Sequence, residues 1–312
     1  MKFIKDLKEL NKKDVSIAGG KGANLGEMIK NGIPVPPGFV VLALAFQKFL
    51  EETDINIEID AAWKRINFQD LESVEENSEI LRHLILKTKI PVGIKKEILG
   101  AFKKLGADYV AVRSSATAED SKIDSWAGEL ESYLNTTRKN LMENIKKCWA
   151  SLYAPRALFY RAKRGLSKKR VSVAVVVQKM IQSEISGVCF TVHPVTKDRN
   201  QIVIEACWGL GEALVQGIIT PDSYVIKKNT MKLIDVNINP QAKQIIRGKR
   251  GTNIAVVPKE LTKEQKLPEK KIKELAKLCI KIEKHYKEPQ DIEWALEKDK
   301  FYIVQSRPIT TL

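Results

Sequence analysis

Apolar positions recur at helical spacing mainly in the first half of the chain, and strand-like apolar runs occur mainly in the second half. The helical spacing predicts helices over residues 43–51, 80–87, 94–105, 141–164 and 270–286. The runs rich in β-branched residues predict strands over residues 109–113, 171–180, 186–191 and 201–206. This distribution predicts an α+β fold with two lobes, residues 1–180 and residues 181–312, divided near Met180.

Two alternating segments near the carboxyl terminus predict a β-hairpin. Residues 291–294 and 305–308 each alternate polar with apolar side chains, as half-buried strands do. Residues 298–300 would then form a three-residue loop between the two strands. An edge hairpin whose charged face is simply solvated is the alternative interpretation.

The register of this hairpin decides whether its polar side chains converge. With the three-residue loop, Glu293 faces Gln305 and Asp291 faces Arg307 across the ladder. A two-residue turn would shift the parity and separate Glu293 from Gln305. In the first register, two carboxylates and an amide oxygen suit Mg²⁺, and the neighbouring arginine suits a phosphate that the metal carries.

Length and composition predict a globular protein with at least two lobes. The 312 residues exceed an average single domain, and the 44% of hydrophobic residues is enough to fill a core. No apolar run reaches the roughly 20 residues that a membrane-spanning helix needs, and the amino terminus has no signal-peptide core. The four widely spaced cysteines indicate thiols in a reducing compartment. We therefore expect a cytoplasmic protein without a membrane anchor.

The net charge of +15 is compatible with nucleic acid, an acidic partner protein or a polyphosphate ligand. Lysines are spread along the chain, with local density in residues 2–13, 163–170 and 263–287. No recognisable nucleic-acid-binding module accompanies them. The pattern favours a solvated lysine-rich surface over a nucleic-acid groove.

Residues 19–26 place four glycines around Lys21, ahead of a predicted helix. Glycine lets the backbone approach phosphate oxygens closely, and a helix that follows offers N–H groups to them. The segment is not a Walker loop, because Gly22 follows Lys21 where that motif needs Ser or Thr. A merely structural turn is the alternative.

A second candidate phosphate site follows the strand predicted over residues 109–113. Arg113 ends this strand, and three hydroxyl residues follow within residues 114–117. An arginine can bind two phosphate oxygens at once, and hydroxyls can donate to others. Residues 125–129 have the composition of a flexible cap that carries one aromatic ring. The alternative is a helix N-cap beside a surface arginine.

The remaining candidates concern the purine and a phosphoryl acceptor. Residues 178–182 leave the strongest predicted strand, and their backbone could bind a purine with Met180 against its ring. His193 lies in a strand-ending turn and is a weak candidate for a phosphocarrier. His83 and His285 are predicted to be surface residues.

Taken in order, these segments resemble the nucleotide-binding domain of phosphoenolpyruvate synthases and pyruvate phosphate dikinases, which also opens rifampin phosphotransferases. The resemblance is carried by residues 19–28, 34–40, 113–120, 125–133, 178–191, 205–221 and 291–308. These segments occur in family order and span nearly the whole chain. The resemblance implies an ATP-grasp fold with ATP and Mg²⁺ held in a cleft between two lobes.

The resemblance also implies a role for each matching residue. The residues implied to bind ATP are Lys21, Arg113, Gly128, Ser132, Gln182, Glu293, Gln305 and Arg307. The residues implied to hold the metal are Glu293, Gln305 and, as a helper, Asp291. The residues implied to act in catalysis are Lys21, Arg113 and Arg307.

Three of these matches have a more specific meaning in the family. Gly128 and Ser132 match the loop that covers the phosphates, and Gln182 matches a nucleotide contact near the hinge.

Members of this family transfer phosphoryl groups from ATP to a histidine on a swivelling domain, which then delivers phosphate to pyruvate or to an antibiotic hydroxyl. The sequence contains no glycine-rich Thr-Ser-His segment, and residues 310–312 follow the hairpin directly. We therefore expect the phosphohistidine and pyruvate-binding domains to be absent and the chain to be incomplete alone. It would phosphorylate a histidine on a separate domain or chain and yield AMP, and pyruvate would be involved only indirectly.

Two other functions remain open at this point. The chain could be the ATP-binding part of a pyruvate phosphate dikinase or of a rifamycin-type antibiotic phosphotransferase. It could also be a nucleotide-binding regulator that transfers nothing.

Overall fold

The computed structural model describes residues 2–117, 131–163, 171–249 and 251–310. The chain divides into two units, of which the first comprises residues 1–27 and 37–180 and the second residues 28–36 and 181–312. Residues 28–36 belong with the second unit because their contacts lie there. The Ile303 N–H donates to the Pro34 carbonyl at 2.8 Å, and the Asn31 amide lies 3.3 Å from the His285 ring.

The first unit is built on a five-stranded sheet in which every neighbouring pair of strands is antiparallel. Its strands are β1 (Ile4–Asp6), β2 (Gly38–Val41), β3 (Val110–Ala116), β4 (Ser132–Thr136) and β5 (Val173–Lys179). The spatial order is β1-β2-β5-β3-β4, so β5 lies at the centre. This position explains the continuous valine run of β5, which is buried on both faces.

Helices cover the core of the first unit. Those in its described residues are α1 (Val15–Lys30), α2 (Ala43–Glu52), α3 (Ile55–Arg65), α4 (Leu71–Lys87), α5 (Val92–Leu105), α6 (Leu141–Ala150) and α7 (Pro155–Lys163). The last three residues of α1 belong with the second unit. The buried rings of Phe49 on α2 and Trp149 on α6 stack with their centroids 4.9 Å apart. Such buried aromatic pairs contribute their apolar area and a favourable ring geometry to stability.

The predicted helices are confirmed, with one extension and one break. The helix predicted over residues 80–87 begins at Leu71, where the Asp70 side chain accepts a hydrogen bond from the Glu72 N–H as an N-cap. The helix predicted over residues 141–164 ends at Ala150 and resumes at Pro155. Proline suits the first position of a helix because it has no N–H to satisfy there.

The second unit contains a six-stranded sheet in which every neighbouring pair is antiparallel. Its described strands, with a separate β10–β11 hairpin, are β6 (Ile185–Phe190), β7 (Gln201–Trp208), β8 (Asp222–Lys227), β9 (Lys232–Asn237), β10 (Lys243–Arg247), β11 (Thr252–Val256), β12 (Gln290–Glu297) and β13 (Lys300–Pro308). The order in the large sheet is β13-β12-β6-β7-β8-β9. The α+β class predicted from the sequence is confirmed.

Two helices belong to the described part of the second unit, α8 (Glu212–Val215) and α9 (Glu269–Tyr286). The buried residues of α9 recur at helical spacing, which fits a helix that packs one face onto a sheet. They are Ile272, Leu275, Ala276, Cys279 and Ile282. Within the described ranges, no helix has the length and apolar character needed to cross a membrane. All four cysteines are buried free thiols, as the sequence predicts.

A fully buried ion pair lies in the second unit. The Lys266 ammonium donates to Asp222 Oδ1 at 2.8 Å and to the Asn239 carbonyl at 2.6 Å, and both charged side chains are 0% exposed. Asp222 also accepts hydrogen bonds from the Tyr224 hydroxyl and from the backbone N–H groups of Lys266 and Asn239. The carboxylate is therefore fully hydrogen-bonded, which a buried charge requires.

Removal of the Lys266 charge tests this network. We expect Lys266→Met to destabilise the protein by about 3–5 kcal/mol, because Asp222 would remain buried without its cation. The measurement is urea-induced unfolding. Lys228→Met is the matched control: Lys228 pairs with Glu283 at 2.7 Å, but both side chains are partly exposed. Its cost should be about 1 kcal/mol or less. Equal effects of the two substitutions would show that burial of the pair does not matter.

Candidate active site

The residues predicted to bind ATP fall into two groups, one in each unit. Lys21, Arg113 and Ser132 belong to the first unit, and the residues of the β12–β13 hairpin belong to the second. Gly128 and the predicted cap at residues 125–129 lie outside the described residues.

The glycine-rich segment lies inside α1: Gly19 interrupts the helix, and residues 20–26 are themselves helical, where the sequence predicts that they precede a helix. Gly19 has φ 67° and ψ 170°, and helical residues lie on both sides of it. A Cβ atom at Gly19 would lie 2.2 Å from Ser115 Oγ and 2.4 Å from the Ser115 carbonyl oxygen. Only glycine combines this backbone conformation with this close approach.

The helix that restarts after Gly19 is capped from β3. Its first N–H groups have no acceptor within the helix itself. Ser115 Oγ accepts the hydrogen bond of the Gly22 N–H at 3.3 Å. The positive charge of Lys21, one residue earlier, acts on the Cys148 thiol. Burial raises the pKa of Cys148, and Lys21 partly opposes that shift. The segment therefore brings Lys21 close to β3.

Arg113 and Ser132 are direct neighbours across the β3–β4 ladder. Their Cα atoms are partners in the antiparallel register, and Val176 of β5 pairs with Arg113 on the other side. Arg113 is 9% exposed, whereas Ser132 is exposed. The prediction that Arg113 ends its strand is wrong, because β3 continues through Ala116. Two residues predicted separately to bind ATP thus lie side by side.

The hydroxyl residues after Arg113 hold the protein's own backbone. Ser114 Oγ donates to the Glu131 carbonyl at 2.8 Å, and Thr117 Oγ1 donates to the Ser172 carbonyl at 3.0 Å. Each of these two hydroxyls thus donates its hydrogen to a backbone carbonyl, and donation to phosphate stays a prediction. Residues 114–116 continue the strand and are not a helix N-cap, and Arg113 is buried, so the alternative of a surface arginine is wrong.

The β12–β13 hairpin reaches the predicted register by a different route. Its turn has two residues, Lys298 with φ 49° and Asp299 with φ 63°, so the predicted three-residue loop is wrong. Left-handed conformations at both positions are typical of a type I′ turn. The ladder then shifts between Glu293 and Trp294 and skips Val304. This β-bulge compensates for the shorter turn.

The cross-strand pairs predicted from the sequence are therefore confirmed. Glu293 pairs with Gln305, and Asp291 pairs with Arg307. Positions two residues apart on a strand point to the same face, so all four side chains share one face of the sheet. This face presents two carboxylates, an amide and a guanidinium from two cross-strand pairs, with one pair of the opposite face between them.

Asp291 orients Arg307 through a single carboxylate oxygen. Arg307 Nε donates to Asp291 Oδ2 at 2.8 Å, and Arg307 Nη2 lies 2.7 Å from the same atom. The Asp291 side chain is 13% exposed and that of Arg307 is 40% exposed. Burial raises the pKa of Asp291, the Arg307 guanidinium opposes that shift, and the nearby Glu293 carboxylate adds to it.

Glu205 is a neighbour of this site that the sequence analysis did not assign. Val188 of β6 pairs with Glu293 on one side and with Glu205 of β7 on the other. Burial raises the pKa of Glu205, and the Asp291 carboxylate adds to the increase. The signal in the sequence was a single carboxylate inside the apolar run of residues 201–206. The sequence alone does not show that this strand lies two strands from β12.

The predicted metal ligands lie on the face described above. In the part of the chain that the structure describes, no three or more His, Cys, Asp and Glu residues form a group that could hold a metal ion. The predicted pair of Glu293 and Gln305 includes an amide and would leave most positions to phosphate oxygens and water, as Mg²⁺ prefers. The metal site stays a prediction.

Gln182 is attached to the turn end of the same hairpin. Its backbone N–H donates to Glu297 Oε1 at 2.7 Å, and the side chain is half-buried. The Lys298 N–H in turn donates to Glu184 Oε1 at 3.1 Å. The segment that follows Met180 is thus fixed to the hairpin that carries Glu293.

His193 organises its own turn. Its ring atom Nδ1 accepts hydrogen bonds from the Val195 and Thr196 N–H groups, both at 3.2 Å. This arrangement accounts for a histidine at a strand end without a phosphocarrier role.

Comparison with known proteins places this arrangement in a family. The sequence profile described as "Pyruvate phosphate dikinase, AMP/ATP-binding domain" matches residues 15–312. The probable phosphoenolpyruvate synthase of Methanocaldococcus jannaschii is 44% identical over 100% of this chain and 27% of that protein. The phosphoenolpyruvate synthase of Pyrococcus furiosus is 43% identical over 100% of this chain and 44% of that protein. The chain thus spans less than half the length of these relatives.

Among solved structures, D-alanine–D-alanine ligase from Helicobacter pylori aligns with 69% of this chain and 46% of its own. The TM-score is 0.31 and the sequence identity 12%, too low to establish a common fold by themselves. The family profile covers both units and every residue predicted to bind ATP. The chain belongs to the family of pyruvate phosphate dikinase AMP/ATP-binding domains.

Proposed function

We propose that this chain binds Mg-ATP and transfers phosphoryl groups to a histidine on a further domain or partner chain, leaving AMP. It would act as the ATP-binding part of a phosphoenolpyruvate synthase, in the ATP-grasp fold that the family resemblance implies. The observation that carries this proposal is the match to an AMP/ATP-binding family over residues 15–312. The names of the relatives favour phosphoenolpyruvate synthase over a pyruvate phosphate dikinase or an antibiotic phosphotransferase.

Phosphoryl transfer depends mainly on positioning and on neutralisation of charge. In this proposal Lys21, Arg113 and Arg307 bind and neutralise the phosphates. The anchoring of Arg307 by Asp291 supports it, since it holds a cation in place, and the close contact of Gly19 with Ser115 fixes the backbone two residues from Lys21. Charged groups fixed before the reaction begins stabilise a transition state without reorganisation.

Glu293 and Gln305 would hold Mg²⁺, whose charge offsets that of the phosphates when it is bound. Their direct pairing across the ladder places two oxygen-bearing side chains on one face. Asp291 has a different role in this proposal. Its Oδ2 already accepts two contacts from Arg307, so we assign it to positioning the arginine, with metal binding as the alternative.

The phosphoryl acceptor would be a histidine outside residues 1–312. The relatives support this assignment, because the aligned part makes up only 27% and 44% of the two described above. His193 already uses Nδ1 to accept two backbone hydrogen bonds in its own turn, so we do not assign it this role. Pyruvate would then meet the phosphoryl group only after it has left this chain.

Substitution of the hairpin residues tests the proposal. We expect Arg307→Ala and Glu293→Ala each to lower phosphoryl transfer by about a hundredfold or more, because each removes a group that offsets transition-state charge. The measurement incubates the chain with labelled Mg-ATP and a histidine-domain protein of the same family, and follows labelled partner and AMP. Arg199→Ala, at an exposed turn position, is the matched control and should leave transfer unchanged.

Two results would contradict these assignments. Transfer at a near wild-type rate by either hairpin variant would remove the hairpin from the reaction. Tight ATP binding by the wild-type chain without any transfer would instead favour a nucleotide-binding regulator.

Asp291→Asn separates the two roles of Asp291. If Asp291 positions Arg307, transfer should fall about tenfold, at the low end of what a charge-assisted hydrogen bond contributes. The Mg²⁺ concentration for half-maximal rate should then stay unchanged. A metal-ligand role would instead raise that Mg²⁺ concentration severalfold, and rate measurements over a magnesium titration distinguish the two outcomes.

A further inference from the structure

A cavity of about 650 Å³ lies in the first unit, and its lining contains none of the residues assigned to ATP. It is formed by α2, α3, α7 and the residues that precede β5. Phe46, Trp63 and Tyr153 give it aromatic walls. This volume lies within the range of pockets that bind small organic molecules.

A buried cation lies at this cavity. Arg161 is 4% exposed, and its guanidinium carbon lies 4.0 Å from the centroid of the Trp63 ring. Burial lowers the pKa of Arg161 to about 10, with Tyr153 opposing the shift, so the guanidinium remains charged at neutral pH. Removed from water, such a cation attracts an anion more strongly than an exposed arginine does. The Trp63 ring holds the guanidinium by a cation–π contact, and a guanidinium can make a forked contact with a carboxylate.

A buried acceptor lines the same cavity. Asn56 Oδ1 is inaccessible to solvent and receives no hydrogen bond from the residues that the structure describes. An acceptor left in this state is unfavourable, and a donor on a bound molecule would satisfy it. This second observation is independent of Arg161.

The cavity is graded from apolar to polar. Phe46 and Tyr153 are buried, whereas the exposed lining residues form its rim. They are Gln47, Glu51, Asp60 and Lys64. A ligand would therefore insert a flat apolar body between the aromatic walls and meet water at the rim.

We propose that this cavity binds a small organic anion that has a flat apolar body and one hydrogen-bond donor. Its anionic group contacts Arg161, its donor contacts Asn56 Oδ1, and its body packs against Phe46, Trp63 and Tyr153. This site is separate from the proposed phosphoryl transfer and does not depend on it.

Three related probes test each part of the recognition. Indole-3-acetate has the anion, the donor and the flat body, indole-3-acetamide lacks the charge, and 1-naphthaleneacetate lacks the N–H donor. We expect indole-3-acetate to bind the full chain saturably in calorimetric titration, at least tenfold more tightly than the amide. We expect it to bind several-fold more tightly than the naphthalene acid. Absence of saturable binding at millimolar concentration, or equal affinity for all three probes, would overturn the proposal.

Two substitutions locate the binding. Arg161→Met and Asn56→Asp should each weaken indole-3-acetate binding at least tenfold, the first by removing the cation and the second by adding a repelling carboxylate. Arg156→Met, at an exposed position of the same helix α7, is the matched control and should bind as wild type. If Arg161→Met fails to fold by its melting curve, Asn56→Asp decides. Unchanged binding in Asn56→Asp would place the probe elsewhere.

Discussion

The one-residue offset in the β12–β13 ladder is the constraint on which the candidate active site depends. Side chains alternate between the faces of a sheet, so a slip of one residue would move Gln305 and Arg307 to the face opposite Glu293 and Asp291. The two-residue turn at Lys298 and Asp299 would produce that slip, and the bulge that skips Val304 cancels it. The turn determines which residues pair in the part of the hairpin next to it. The bulge determines which residues pair in the part that carries the polar groups, and so which side chains share a face.

The sequence predicts elements well where one physical signal dominates. The valine run of β5 and the helical spacing of α9 leave a single interpretation, and both elements are present. The acidic stretch that contains α3 gives a weaker signal, because most of its residues face solvent. The hairpin turn was misassigned because Lys298 and Asp299 lack the Asn-Gly or Asp-Gly sequence that usually marks a type I′ turn.

For the candidate site, the sequence predicts which residue types take part better than it predicts which residues lie next to each other in space. The sequence identifies Arg113, Glu293 and Arg307 by their chemistry, and strand alternation predicts the pairs within one hairpin. It does not predict that Ser132 lies beside Arg113. These residues belong to two strands, β3 and β4, whose pairing the sequence pattern does not specify. Ser114 and Thr117 lie close to Arg113 in the sequence, but their hydroxyls donate to backbone carbonyls of residues distant in sequence. The sequence does not show these long-range hydrogen bonds.

The break at Gly19 links two basic groups mechanically. Gly19 packs against Ser115 with no space for another atom, and the Gly22 N–H bonds to the same serine, two residues from Arg113. A displacement of the strand by a fraction of an ångström would therefore push the helix start with it. The backbones at Lys21 and Arg113 would therefore move together. The distance between the backbones of these two basic residues would then be set when the chain folds, and only their side chains would remain to be positioned by a ligand.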